Sequence, residues 1–140
     1  MAAPDTDHGL HQLFYVSRAL AEPAQVQQIL QRARRDNERL GLSGALLYSG
    51  GHFAQWLEGP PRVLAATVER IRRDRRHEAF CELWSGPAPA RRFADWSMAF
   101  VGQPGADDLI AQLQAAPAPL SAERVQRLLD LLLAAAEPAA

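Results

Sequence analysis

Three neutral polar side chains sit in phase with apolar neighbours, and they are the first places where chemistry could occur. Gln55 lies between Phe53 and Leu57 in the run His52 to Glu58 (HFAQWLE). Alternate residues of a strand share a face, so Gln55 is expected on a buried one. A buried amide needs partners for both its oxygen and its NH2. Backbone or water could supply them, and so could a ligand. Tyr15 is in the middle of His11 to Ser17 (HQLFYVS). Its plainer account is a core tyrosine whose hydroxyl reaches an edge. Asn37 follows Ile29 by eight residues and Ala33 by four. That spacing puts it on their helix face, although asparagine is also common where a helix ends.

Charged and sulfur-bearing groups come next. Arg70, Asp74 and His77 step by four and three residues, which would align them on one helix face. A solvated ion-pair ladder would look the same. Trp96 and Met98 alternate, so both are expected to face one layer of a strand, where core filling is the ordinary use. Cys81 is the single cysteine. It cannot staple the fold, a metal site needs several ligands, and its apolar surroundings suggest a buried thiol.

The elements that must position these groups can be read in order. His11 to Ser17 reads as a first strand. Pro23 opens a helix to Leu40, with Val26, Ile29, Leu30, Ala33, Asn37 and Leu40 along one stripe, and Gly41 stops it. Leu42 to Ser49 is a second strand, Gly50-Gly51 a two-residue hairpin, and His52 to Glu58 a third strand. Gly59-Pro60-Pro61 breaks the chain before a helix from Val63 to Asp74. Phe80 to Ser85 and Trp96 to Val101 complete five strands. The order β-α-β-β-α-β-β predicts an α+β, ferredoxin-like sandwich with both helices on one sheet face. A tyrosine, an asparagine and a glutamine would then converge between the helices. Small Ala33 leaves room for a ring, and Ile29 and Ile71 would sandwich it. Such a set suits a flat polar heterocycle such as an isoalloxazine without singling it out.

The chain divides into residues 11–101 and a helical extension, residues 102–140. In the extension, Ala106 to Gln114 is weakly helical. Pro117 and Pro119 punctuate it, and Ser121 starts a helix carrying Arg124, Val125, Leu128, Leu129 and Leu132. Ser-Ala-Glu-Arg lacks the acid of a full capping box, so the cap is partial. These helices are expected to pack on the other sheet face, over Trp56.

With 140 residues, 48% of them hydrophobic, the chain can build one ordinary core, and a net charge of −1 gives no pull toward nucleic acid or membrane. All of its basic residues are arginines. No signal peptide or membrane span is legible, so a cytoplasmic location is expected.

Five blocks resemble the BLUF family, sensors of blue light using flavin. They are LFYVSRA (13–19), GLSGALLY (41–48), FAQWLEG (53–59), IRRDRRH (71–77) and FADWSMAF (93–100), in family order. The resemblance implies FAD, with FMN or riboflavin as other possible flavins, held between the two helices. It implies Tyr15 as photochemical electron donor and Gln55 as the relay to the flavin edge. Asn37 would hold the C4=O/N3–H edge, while Ile29, Ala33, Phe53 and Ile71 line the ring. Arg70, Asp74, Arg76 and His77 fall at the ring edge or along the ribityl-phosphate chain, and Trp96 and Met98 would carry the signal. The implied protein is a photoreceptor without turnover activity, working through a second copy or a downstream protein. No output enzyme is expected in the short remainder after strand five. A light-insensitive flavin redox protein and an acylphosphatase-like enzyme are the alternatives, the latter lacking a phosphate-cradling loop after strand one.

Three departures from the family stand out. Asp36 replaces an amide or histidine, and is expected to turn to solvent or pair with an arginine such as Arg35. The link from Tyr15 to Asn37 looks short. Trp56 is bulkier than expected beside the key glutamine.

Overall fold

A computed structural model of the chain describes residues 9–115, and beyond them Leu120, Ser121, Glu123, Arg124, Arg127, Asp130, Leu131 and Ala134. The elements run β1 (Leu10–Ala19), α1 (Pro23–Leu40), β2 (Ser43–Tyr48), β3 (His52–Gly59), α2 (Pro61–Arg72), β4 (His77–Ala88) and β5 (Ala99–Gly102). A 3-10 turn (Pro104–Ala106) then leads into α3 (Asp107–Ala115). The sheet order is β4-β1-β3-β2-β5. β1 pairs antiparallel with β3 and β4, β3 antiparallel with β2, and β2 parallel with β5. This is the ferredoxin-like arrangement expected, with β5 added at one edge.

Local chemistry explains the boundaries. Pro23 occupies the first turn of α1, where its missing N–H costs nothing. The Glu22 N–H donates to the Gln25 side chain, closing half of a capping box. Gly41 ends α1 in the left-handed region, at φ 75°, and its N–H returns to the Asn37 carbonyl. Leu20–Glu22 separate β1 from α1. Pro61 starts α2 two residues earlier than periodicity suggests, again as a first-turn proline. The tight turn between β2 and β3 uses Gly50 at φ 99°.

The sheet separates two cores, and side-chain alternation assigns residues to them. On the helix side, Leu13, Tyr15, Leu46, Phe53, Leu57 and Met98 pack with Val26 and Leu30 of α1 and Leu64 and Val68 of α2. On the other side, Phe14, Val16, Ala45, Ala54 and Trp56 pack with Phe93, Ile110 and Leu120. Trp56 is completely buried, as expected, beneath α3 and the segment before β5. The sheet is therefore covered on this side among the described residues. The large apolar residues exposed among those described are Leu20, Leu109 and Leu131.

In the extension, Ser121 Oγ accepts from the Arg124 N–H, the partial cap expected. The readings of Pro117, Pro119, Val125, Leu128, Leu129 and Leu132 lie outside the described residues. Cys81 is only partly buried, because β4 is an edge strand.

Candidate functional site

Strand register brings the central pair together. Tyr15 on β1 stands directly opposite Gln55 on β3, both facing the helices. Directly paired residues on one face are close enough for side chains to meet. The Tyr15 hydroxyl donates to Gln55 Oε1 at 2.5 Å. The amide's other end, Nε2, points to Met98 Sδ at 3.6 Å. Gln55 is buried, so its orientation is fixed by these two neighbours. A phenol can donate to the amide oxygen or accept from the NH2, whereas a thioether can only accept, so the Met98 contact selects this orientation.

Tyr15 is enclosed by aromatic rings. Phe80 stacks on it with centroids 4.5 Å apart, and His77 meets it edge-on at 6.1 Å. Burial, followed by the negative charge of Asp74, drives the phenol's pKa far above its ordinary value. It therefore remains a neutral hydrogen-bond donor at any physiological pH.

The pair opens into a cleft between α1 and α2. Two adjoining cavities of about 80 and 250 Å3 share Ile29, Ala33, Gln55, Ile71, Asp74 and Arg76 in their walls. Tyr15, Phe53 and His77 line the first, and Asn37, Thr67 and Arg70 the second. Ligand sites run to about 300–1,000 Å3, so each cavity alone is smaller than a usual ligand site, and the two form parts of one cleft. Ile29 and Ile71 come from opposite helices. The polar groups lie at the floor and at one end.

Asn37 is buried, and its Nδ2 donates to the Ser97 carbonyl at 2.8 Å. Its backbone carbonyl also closes the end of α1. It is thus a helix-end residue and a cleft residue at once. At the opposite end, Arg76 grips Asp74 through Nε and its second guanidinium nitrogen at 3.0 and 2.6 Å. Those bonds hold the Asp74 carboxyl below the usual range, against the opposing effect of burial. His77 Nε2 donates to the Ile71 carbonyl at 2.5 Å, and Nδ1 lies 2.7 Å from Ser17 Oγ. The histidine thus ties the end of α2 to β1.

The family model for sensors of blue-light using FAD matches residues 10–99. The chain belongs to the BLUF family. Its structure superposes on that of BlrB, a BLUF protein in its dark state, with a TM-score of 0.74 and 38% identity, covering 90% of this chain and 96% of that one. It is 37% identical over 73 residues to the blue light- and temperature-regulated antirepressor BluF of Escherichia coli, covering 52% of this chain and 18% of that protein. It is 30% identical over 116 residues to the photoactivated adenylate cyclase subunit beta of Euglena longa, covering 76% of this chain and 14% of that protein. The chain therefore spans less than a fifth of either curated relative.

Within this BLUF fold, two expectations are corrected. Trp96 and Met98 do not share a strand face. β5 begins only at Ala99, and the irregular segment before it turns Trp96 toward the α3-side core and Met98 toward Gln55. Arg70, Asp74 and His77 do not share a helix face, because α2 ends at Arg72. Asp74 lies in the turn beyond and His77 opens β4, yet all three still reach the cleft wall. Asp36 pairs with nearby arginines as expected, here Arg32 and Arg39, each at 3.7 Å.

Two acidic residues escaped the sequence reading. Glu58 is fully buried beneath the sheet. Its signal was available: an acid in phase with Ala54 and Trp56 on an inward face requires donors. Asp107 gathers the β2–β3 hairpin, accepting from Ser49 Oγ at 2.7 Å and the Gly51 N–H at 3.0 Å, with His52 Nδ1 at 2.9 Å. Its position at the start of α3 suggested only a favourable helix charge. No group of ligands able to hold a metal occurs among the described residues, nor any helix long and apolar enough to cross a membrane.

Proposed function

We propose that the BLUF chain holds FAD in the α1–α2 cleft and acts as a blue-light switch whose moving part is the Gln55 amide. The observation that carries this reading is the chain Tyr15 Oη to Gln55 Oε1, with Gln55 Nε2 to Met98 Sδ, at the floor of the α1–α2 cleft. The donor set fits a flavin. Ile29 and Ile71 give apolar faces, Ala33 leaves space, Phe53 closes the inner end, and Asn37 and Gln55 offer amides to a polar ring edge. Arg70 and Arg76 supply positive charge, with Asp74 and His77 fixing that end of the wall.

When bound, a flavin absorbs blue light and becomes a strong one-electron oxidant. Tyr15 would be the electron donor to it, and the existing bond to Gln55 would be the path of its phenolic proton. Return of both to Tyr15 would leave no net oxidation. What persists is the amide. Rotation or tautomerisation exchanges its donor and acceptor ends, and either change rewrites the bond to Tyr15 and the contact with Met98. Met98 leads directly into β5, so the rearrangement reaches the sheet edge. The unit of residues 11–101 would sense, and residues 102–140 would relay to a second copy or a downstream protein. Light response rather than turnover is the proposed activity.

The test is an absorption spectrum of the purified protein before and after blue illumination, with the extracted flavin identified by chromatography. The expected result is bound FAD with a small, reversible red shift. A yellow protein with no light–dark difference would support the light-insensitive redox reading. A colourless one would oppose both.

A further inference from the structure

The proposed switch requires Met98 to sit against Gln55, yet residues 91–98 form neither helix nor strand. Their path is set by side chains from elsewhere in the chain, and the deepest of these is Glu58. The segment starts on the α3 side of the sheet, where Phe93 is fully buried, and ends on the helix side at Met98. Glu58 lies three residues beyond Gln55 on β3, on the opposite face.

Its two oxygens meet four donors. Oε1 accepts from the Arg92 N–H at 2.9 Å and Trp56 Nε1 at 3.1 Å. Oε2 accepts from the Phe93 N–H at 2.7 Å and Ser43 Oγ at 2.8 Å. Arg91 backs this arrangement, donating to Ser43 Oγ at 2.8 Å and to the Gly41 carbonyl at 2.6 Å. The serine thus links the cation to the buried carboxylate. Each oxygen faces a backbone N–H that cannot turn away. A carboxylate accepts at both oxygens, whereas a glutamine of the same shape must aim its NH2 at one of those N–H groups in either orientation. That mismatch is costly in a buried site.

We propose that Glu58 is a positioning residue for the light switch, fixing the backbone of Arg92 and Phe93 so that the following residues deliver Met98 to Gln55. Downstream of this anchor the segment is tied by Gly44 N–H to the Trp96 carbonyl at 3.2 Å, Asn37 to Ser97, and Arg34 Nε to the Met98 carbonyl at 3.0 Å. These ties hold the segment against β2 and α1, and Glu58 sets where it begins. The functional significance rests on the reading of Gln55 as the switch, but the placement of Met98 does not.

The methionines are Met1 and Met98, so a methyl-13C methionine label reports Met98 directly. The experiment compares flavin-loaded full-length parent, Glu58→Gln and Ser43→Ala, in darkness and under blue light, with Ile29 and Ile71 methyls as cleft controls. In darkness, Glu58→Gln is expected to displace the Met98 methyl beyond its linewidth while the isoleucine methyls stay in place. Its light-minus-dark change should fall to half or less. Ser43→Ala, which removes one Oε2 donor, should displace Met98 in the same direction by less. If Glu58→Gln fails to fold, the serine variant decides the outcome. An unmoved dark-state Met98 methyl in the folded variants overturns the proposal, as does equal movement of all three methyls, which would indicate general loosening. A parent with no light response, but with Met98 displaced in the dark variants, leaves Glu58 positioning intact and defeats the switch reading.

Discussion

Tyr15→Phe removes the hydroxyl that donates to Gln55 Oε1 while preserving the ring stacked on Phe80. Because the cavity keeps its shape, flavin occupancy should be unchanged, and the normal light-induced shift should be lost. Gln55→Leu should behave likewise, since leucine fills the space but offers neither donor nor acceptor. Both are checked by flavin-to-protein ratio and light–dark difference spectra, and a normal photocycle in either variant contradicts the assigned roles. Asn37→Ala has a different signature, because it opens the cleft floor and releases the Ser97 carbonyl. Losing that bond should cost about 1–2 kcal/mol of stability. Flavin affinity should fall at least about tenfold, equivalent to about 1.4 kcal/mol. Flavin retention after gel filtration checks the second effect. Full retention would reduce Asn37 to a helix end and segment anchor.

At the scale of elements, the clasp around Asp107 joins the β2–β3 hairpin to the start of α3. Bonds from Ser49 and then His52 lower its carboxyl pKa, with burial weakly opposing them. A folded-state pKa below the unfolded value means that the ionised group favours folding at neutral pH. That contribution is complete above the unfolded value, about 3.9, and is lost as pH falls through the lower folded value. Asp107→Asn should therefore melt below the parent at pH 7. The gap in thermal midpoint should close as pH drops below about 4. A gap independent of pH would show that the charge contributes nothing to the clasp. This element also shows what was legible in the sequence. The hairpin was readable from two glycines, α1 from its stripe and its Gly41 stop, and the Phe53–Gln55–Leu57 face from alternation, because these signals are local. Strand five was placed too early because alternation in Trp96–Met98 imitates a strand. The true path of residues 91–98 depends on Glu58, Asn37 and Arg34, which are distant in sequence. Periodicity carries no trace of such ties.

At the scale of the molecule, the sheet separates the cleft from the α3-side core, so stability and cofactor binding can be perturbed independently. Ile110 of α3 is buried in the same core as Trp56 and Phe93. Ile110→Ala deletes buried methyl and methylene groups and should cost about 2–4 kcal/mol, depending on how far the site collapses. A single domain of this size has about 5–15 kcal/mol in total, so the variant should remain folded at room temperature. The cleft lies across the sheet, and a ligand that binds only the folded state keeps its intrinsic affinity while that state dominates. The flavin dissociation constant should thus stay within about twofold of the parent's, even though the urea midpoint falls. Added flavin should raise the thermal midpoint of both proteins through the same mass-action term. A large loss of flavin affinity in folded Ile110→Ala would instead mean that the two cores communicate through the sheet in the dark. The path for that communication is the segment that starts under Phe93 and ends on Met98, because it packs into both cores.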